Sequence, residues 1–204
     1  MAKPTQESFL GDVKNHSMQI LRDDGLYRHL VFSNRGSWCM RFDILTWPGY
    51  LCYTGDMGTF VFSRIEDMFE FFREDSGRIN PDYWSEKIQA ADRCDGYKEW
   101  SPDKFRRVIE YYLTERSEKT APKELRQAVE EEVLSRVDDG QHEAYRAASE
   151  FEYEGFRFDD LWDHNFQEFT YRFLWCCYAL VWAIKQYDAV HVSPPVSPMR
   201  GKGL

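Results

Sequence analysis

The run Phe173–Ile184 reads FLWCCYALVWAI, with Arg172 before it, Lys185 after it and no charge inside it. A helix crossing a bilayer needs about 20 apolar residues, so this shorter run reads as a helix buried in protein. Apolar on nearly every side, it has no face to offer water, and the rest of the chain must surround it. The spacing predicts a helix over 165–187 at the centre of the fold, with Trp175, Tyr178 and Trp182 largely buried. The segment after it, 189–204, carries three prolines and two late glycines and is expected to be a disordered tail.

The cover for that helix is legible upstream. Residues 5–13 suit a short helix or ordered arm. From Ser17 apolar and polar residues alternate, as in a half-buried strand. Asp23-Asp24-Gly25, Asn34 to Ser37, Pro48-Gly49 and Gly55-Asp56-Met57-Gly58 interrupt the alternation as turns. The reading is a hairpin over 17–33, then strands at 38–47, 50–54 and 59–63. That makes an antiparallel meander of about five strands, with one wet and one buried face.

Helix signals then take over. Ser63 and Glu66 suit a capping box before Ile65, Met68, Phe69 and Phe72. Asn80-Pro81 starts a helix carrying Trp84, Ile88 and Ala91 to near Gly96. Ser101-Pro102 starts another, with Phe105, Val108, Ile109, Tyr112 and Leu113 on one face. Residues 121–137 turn Leu125, Ala128, Val129 and Val133 inward, 141–151 continue as helix, and 151–158 alternate like a small hairpin with Gly155 at its turn. The fold class is α+β: an N-terminal antiparallel meander (17–63) packed against a mostly helical remainder (64–188), as a single domain over 1–188.

The charge is uneven. Against 26 Lys and Arg stand 35 Asp and Glu, a formal net charge of −9. That argues against a phosphate-binding surface, which needs clustered cations. Residues 121–164 hold thirteen acids and five bases. Glu130, Glu131, Glu132, Asp138, Asp139, Glu150, Glu152, Glu154, Asp159 and Asp160 are the candidate partner-binding surface. Complementary charge would orient it on a basic groove of another protein. Trp47, Tyr50 and Tyr53, around Pro48-Gly49, are candidates for an exposed aromatic rim.

No phosphate-loop, dinucleotide or nucleophile-elbow motif occurs. Asp160 and His164 would share a helix face, but no third metal ligand stands at a telling spacing. His142-Glu143 lacks the second histidine of a zinc-protease pattern. Five cysteines without a CxxC pair, behind an N-terminus lacking an apolar leader, suggest reduced thiols in a cytoplasm. No catalytic residue, metal or cofactor is assigned. An alternative is a small-molecule or nucleotide site between sheet and helices near His29, Tyr53 or Asp56.

Two stretches, TWPGYLCYTGDMGTFVFSRIEDMFEFFR (46–73) and FLWCCYALVWAIKQYD (173–188), resemble segments of an uncharacterised accessory protein family of tailed phages and prophages. The resemblance implies the cytoplasm of a bacterial host, and the acidic segment together with the lack of a catalytic motif suggests a non-enzymatic protein. Such a protein would inhibit a host defence or nucleic-acid-handling complex, of anti-CRISPR or anti-restriction type, by binding a host protein with a basic groove, without touching nucleic acid or membrane. A virion assembly protein is a further alternative within the same context.

Overall fold

Strand pairing in the computed structural model, which describes residues 2–114 and 121–191, follows chain order. Strands β1 (Ser17–Asp24), β2 (Tyr27–Ser33), β3 (Phe42–Trp47), β4 (Tyr50–Gly55), β5 (Gly58–Ser63) and β6 (Ile88–Ala90) form one antiparallel sheet in the order β1 to β6. Helices α1 (Gln6–Val13), α2 (Met68–Phe72), α3 (Pro81–Ser85), α4 (Pro102–Thr114), α5 (Lys123–Glu132), α6 (Gln141–Glu150) and α7 (Tyr171–His191) and a two-stranded pair, β7 (Lys98–Trp100) with β8 (Gln167–Phe169), complete an α+β architecture. The span expected as one domain holds two compact units, residues 98–169 and the rest.

In the sheet-bearing unit, alternation decides the core. Leu30, Phe32, Phe42, Ile44, Leu51, Tyr53, Phe60 and Phe62 point to one face and are essentially sealed from water. Against that face lies α7: Trp175 meets Phe42 edge-on at 5.7 Å, Trp182 meets Phe32 at 5.4 Å, and Phe173 meets Phe60 at 5.4 Å between ring centroids. Each such ring, taken fully from water, contributes about 1.5–3 kcal/mol. A capping box between Thr5 and Ser8 starts α1. Its Phe9 packs on Trp175, and its Asp12 accepts the Trp175 indole N–H at 2.9 Å. Of the three aromatics expected at the centre, Trp175 is fully buried, while Tyr178 and Trp182 are half-buried.

Several boundaries differ from those the sequence predicts. The helix begun by Asn80 and Pro81 stops at Ser85, and Ile88 pairs with Phe62 as the sixth strand; closing the open edge of β5 outweighs helical spacing over so few residues. Asp67, not Ser63, caps α2 by accepting the Phe69 N–H at 2.9 Å. The last helix begins at Tyr171, because 161–163 form a 3-10 turn and 167–169 the strand β8. It runs on to His191, so 189–191 are helical and not tail; 192–204 lie outside the described residues.

The unit 98–169 has its own core, formed by Phe105, Ile109 and Tyr112 of α4, Leu125 and Val129 of α5, Val137, Ala144 and Ala148 of α6, and Phe151, Phe158 and Phe166. Its 151–158 segment is the small hairpin expected, with Tyr153 bridging Phe156 and Gly155 at φ 85°.

One glycine is imposed by contact and not by dihedral. A Cβ on Gly55 would lie 2.2 Å from the Arg41 carbonyl oxygen and 2.6 Å from the Phe42 Cα. Gly25 has φ +60° but nothing within 4 Å. In urea unfolding, Gly55→Ala is expected to cost about 3 kcal/mol, and Gly25→Ala about 1 kcal/mol. Equal costs would contradict the packing argument.

Candidate functional site

All ten acidic residues singled out from the sequence fall in the 98–169 unit. Nine are exposed, and Asp160 is half-buried. The helices explain why: α5 and α6 turn Leu125, Val129, Ala144 and Ala148 inward, so Glu130, Glu131, Glu132 and Glu150 are left facing water. Glu152 and Glu154 lie on the small hairpin, and Asp159 and Asp160 follow it, Asp160 at φ 59°.

Some of this charge is locally paired. Asp138 meets Arg106 at 3.4 Å, Asp139 meets Arg136 at 3.4 Å, and Glu152 pairs with Arg157. Glu130, Glu131, Glu132, Glu154 and Asp159 have no cationic partner among the described residues, and Glu150 has only the nearby charge of Arg146. They are therefore the part of the surface whose field reaches outward. Exposed pairs contribute about 0–1 kcal/mol each to stability. His164 sits in extended backbone after the 3-10 turn, so it and Asp160 do not share a helix face.

The three residues of the alternative site are not brought together. Tyr53 is fully buried on the helix-facing side of the sheet, stacked on Phe42 at 5.5 Å. It therefore cannot join an exposed rim, which consists of Trp47 stacked on Tyr50 at 5.3 Å. Burial pushes the Tyr53 hydroxyl well above the usual phenol range, and that hydroxyl has no hydrogen-bond partner among the described residues. His29 is on the opposite sheet face, 2.8 Å from Asp43, which also receives the Arg41 Nε–H at 3.3 Å; the Arg41 guanidinium lies 4.6 Å from the ring of the exposed Trp38. Asp56 accepts the Met40 N–H at 2.8 Å and so holds the loop before β3.

Sequence reasoning missed a polar cluster in the sheet-bearing unit. Arg28 occupies an inward position of β2, in line with Leu30 and Phe32. It forms a two-pronged pair with Asp67 at 2.9 Å, 4.5 Å from the Phe69 ring and 5.5 Å from the Tyr187 ring. Tyr187 donates to Asp23 at 2.8 Å, and His191 Nε2 lies 2.7 Å from the other Asp23 oxygen. Burial alone would raise the Asp67 carboxyl, but Arg28 and the Phe69 N–H outweigh it and hold the group below its usual range. Asp23 is lowered likewise, by Tyr187 and His191 against burial. The Tyr187 carbonyl on Nδ1 and Asp23 on Nε2 both favour a protonated His191, whose pKa is raised. These carboxylates spend their lone pairs on fold partners, which marks the cluster as structural. Its readable signal is a charged residue at a core register of a strand.

The chain matches no protein-family model, no curated protein and no solved structure. The likeness of 46–73 and 173–188 to a phage and prophage family thus has no support from relatives. Among the described residues no helix is long and apolar enough to cross a membrane.

Two outcomes follow from the polar cluster. Arg28→Met strands a half-buried carboxylate and is expected to cost about 3 kcal/mol in urea unfolding, with a smaller loss in the double variant Arg28→Met, Asp67→Leu. A raised histidine pKa adds stability below its unfolded value, about 6.5, and the gain disappears as pH rises through the folded value. The stability difference between the protein and His191→Gln should therefore be largest at acidic pH and vanish at alkaline pH. A difference independent of pH would contradict the proposed His191–Asp23 pairing.

Proposed function

We propose that the chain is a non-enzymatic binding protein whose 98–169 unit docks through its acidic surface onto a basic groove of a partner protein. One observation carries the reading. Residues 98–169 hold 19 acids and 11 bases, whereas the rest of the chain holds 16 acids and 15 bases. Nearly the whole charge excess is confined to one unit, and five of its exposed carboxylates have no cationic partner among the described residues. A one-signed surface of this kind raises the rate of encounter with an oppositely charged partner and fixes its orientation.

Basic grooves are the mark of proteins that hold nucleic-acid backbones. On this reading the partner is a nucleic-acid-handling complex of a bacterial host, and occupying its groove blocks it, as an anti-CRISPR or anti-restriction protein would. The host context is an assumption taken from the resemblance of 46–73 and 173–188 alone, and the charge supports the mode of binding.

The experiment is capture of partners on the immobilised chain from a bacterial lysate treated with nuclease, followed by affinity measurement with the recovered protein at two salt concentrations. Glu130→Lys, Glu131→Lys and Glu132→Lys together change only exposed positions. They are expected to weaken binding by about tenfold or more and to flatten its salt dependence. Unchanged affinity and salt dependence in that variant would remove the proposal.

A further inference from the structure

We propose that the groove between α1 and α7 is a binding site for a small aromatic carboxylate, separate from the acidic surface and independent of its role. The groove encloses about 270 Å³, just below the usual range of small-molecule sites and suited to a ligand of one or two rings. Its floor is Phe9 and Val181, both buried. Its walls are Tyr178 and Trp182, four residues apart on α7 and so on one face of that helix.

Three observations point to an aromatic anion. First, α7 seals Trp175 completely but leaves Tyr178 and Trp182 half-buried, so two partly open aromatic surfaces of α7 line this groove. Phe9 stacks on Tyr178 at 5.9 Å and meets Trp182 at 6.2 Å, which holds both walls in place for a flat ligand. Second, Lys185 is the one charged residue of the lining, and it has no carboxylate partner among the described residues. In a chain of net charge −9, an unpaired ammonium beside aromatic walls selects for anions. Glu74, two residues before Ser76 of the lining, is occupied by the Ser76 N–H at 2.9 Å and the Ser76 hydroxyl at 2.7 Å, and the carboxylates that adjoin the lining in sequence, Glu7 and Asp75, are exposed to water. Third, Trp182 and Gln6, which carry an indole N–H and an amide, both belong to the lining. Both can donate to a carboxylate once Lys185 has drawn it in.

The rim is shaped for access. Gly77 has φ +78°, and a Cβ there would lie 2.3 Å from Gln6 Nε2. Glycine therefore lets the Gln6 side chain lie against the backbone at the edge of the groove. Leu10, 43% exposed, forms the opposite lip.

The test is calorimetric titration of the full chain with 2-naphthoate and, separately, with the uncharged 2-naphthylmethanol. Saturable binding of one naphthoate per chain is expected, with the alcohol about tenfold weaker. Lys185→Gln should weaken naphthoate by about tenfold and leave the alcohol unchanged. Leu10→Trp should block both ligands by filling the mouth. Both substitutions are at exposed positions, and matching thermal unfolding of the variants confirms that they fold. No saturable binding of naphthoate at millimolar concentration overturns the proposal, as does equal binding of acid and alcohol, or naphthoate affinity unaltered in either variant.

Discussion

Trp175 is sealed in the second turn of α7, edge-on to Phe9 and Phe42, with its indole N–H bonded to Asp12. This set of contacts joins α1, β3 and α7 at one point. A buried indole N–H left without an acceptor would cost about 1–3 kcal/mol, so the place of α1 is fixed by hydrogen bonding as well as by apolar contact. The inward row of the sheet, from Leu30 to Phe62, then packs against α7 and, at Phe62, against Phe72 of α2. The Arg28–Asp67 pair plays the corresponding role toward the end of the same helix, where Tyr187 and His191 close over Asp23.

Much of this was legible in the residues. The turns at Asp23-Asp24-Gly25, Pro48-Gly49 and Gly55 to Gly58 place four strands of the meander to within a residue or so, because glycine and proline restrict the backbone locally. Asn80 caps a helix as its type suggests. Failures arose where tertiary contact decides. Trp84, Ile88 and Ala91 have helical spacing, yet Ile88 serves the edge of β5. Residues 165–169 look like the start of the long helix, yet Phe166 belongs to the core of the 98–169 unit. The bulge between Ile20 and Arg22 breaks the alternation of β1 and leaves Ile20 39% exposed.

The acidic segment was legible as composition, since charge needs no fold to be counted. Its confinement to one structural unit was not, because the boundaries at 97 and 170 appear only in the contacts. Nor was the α1–α7 groove, whose walls read as core positions in a helix apolar on nearly every side. Half-burial of Tyr178 and Trp182 depends on how far the short α1 covers them, and no local pattern encodes that.

The strands β7 and β8 pair Lys98 with Phe169, and the flanking Thr170 N–H bonds to the Tyr97 carbonyl at 3.1 Å. The chain thus leaves the sheet-bearing unit and returns to it at neighbouring points. For the sheet and α7, everything from 98 to 169 counts as a single closed loop. The entropy of closing a loop grows only with the logarithm of its length, about 0.6 kcal/mol per doubling. The unit that carries the charge can therefore lengthen, shorten or exchange its surface over evolutionary time with little effect on the aromatic core, and the two parts of the molecule are free to diverge at different rates.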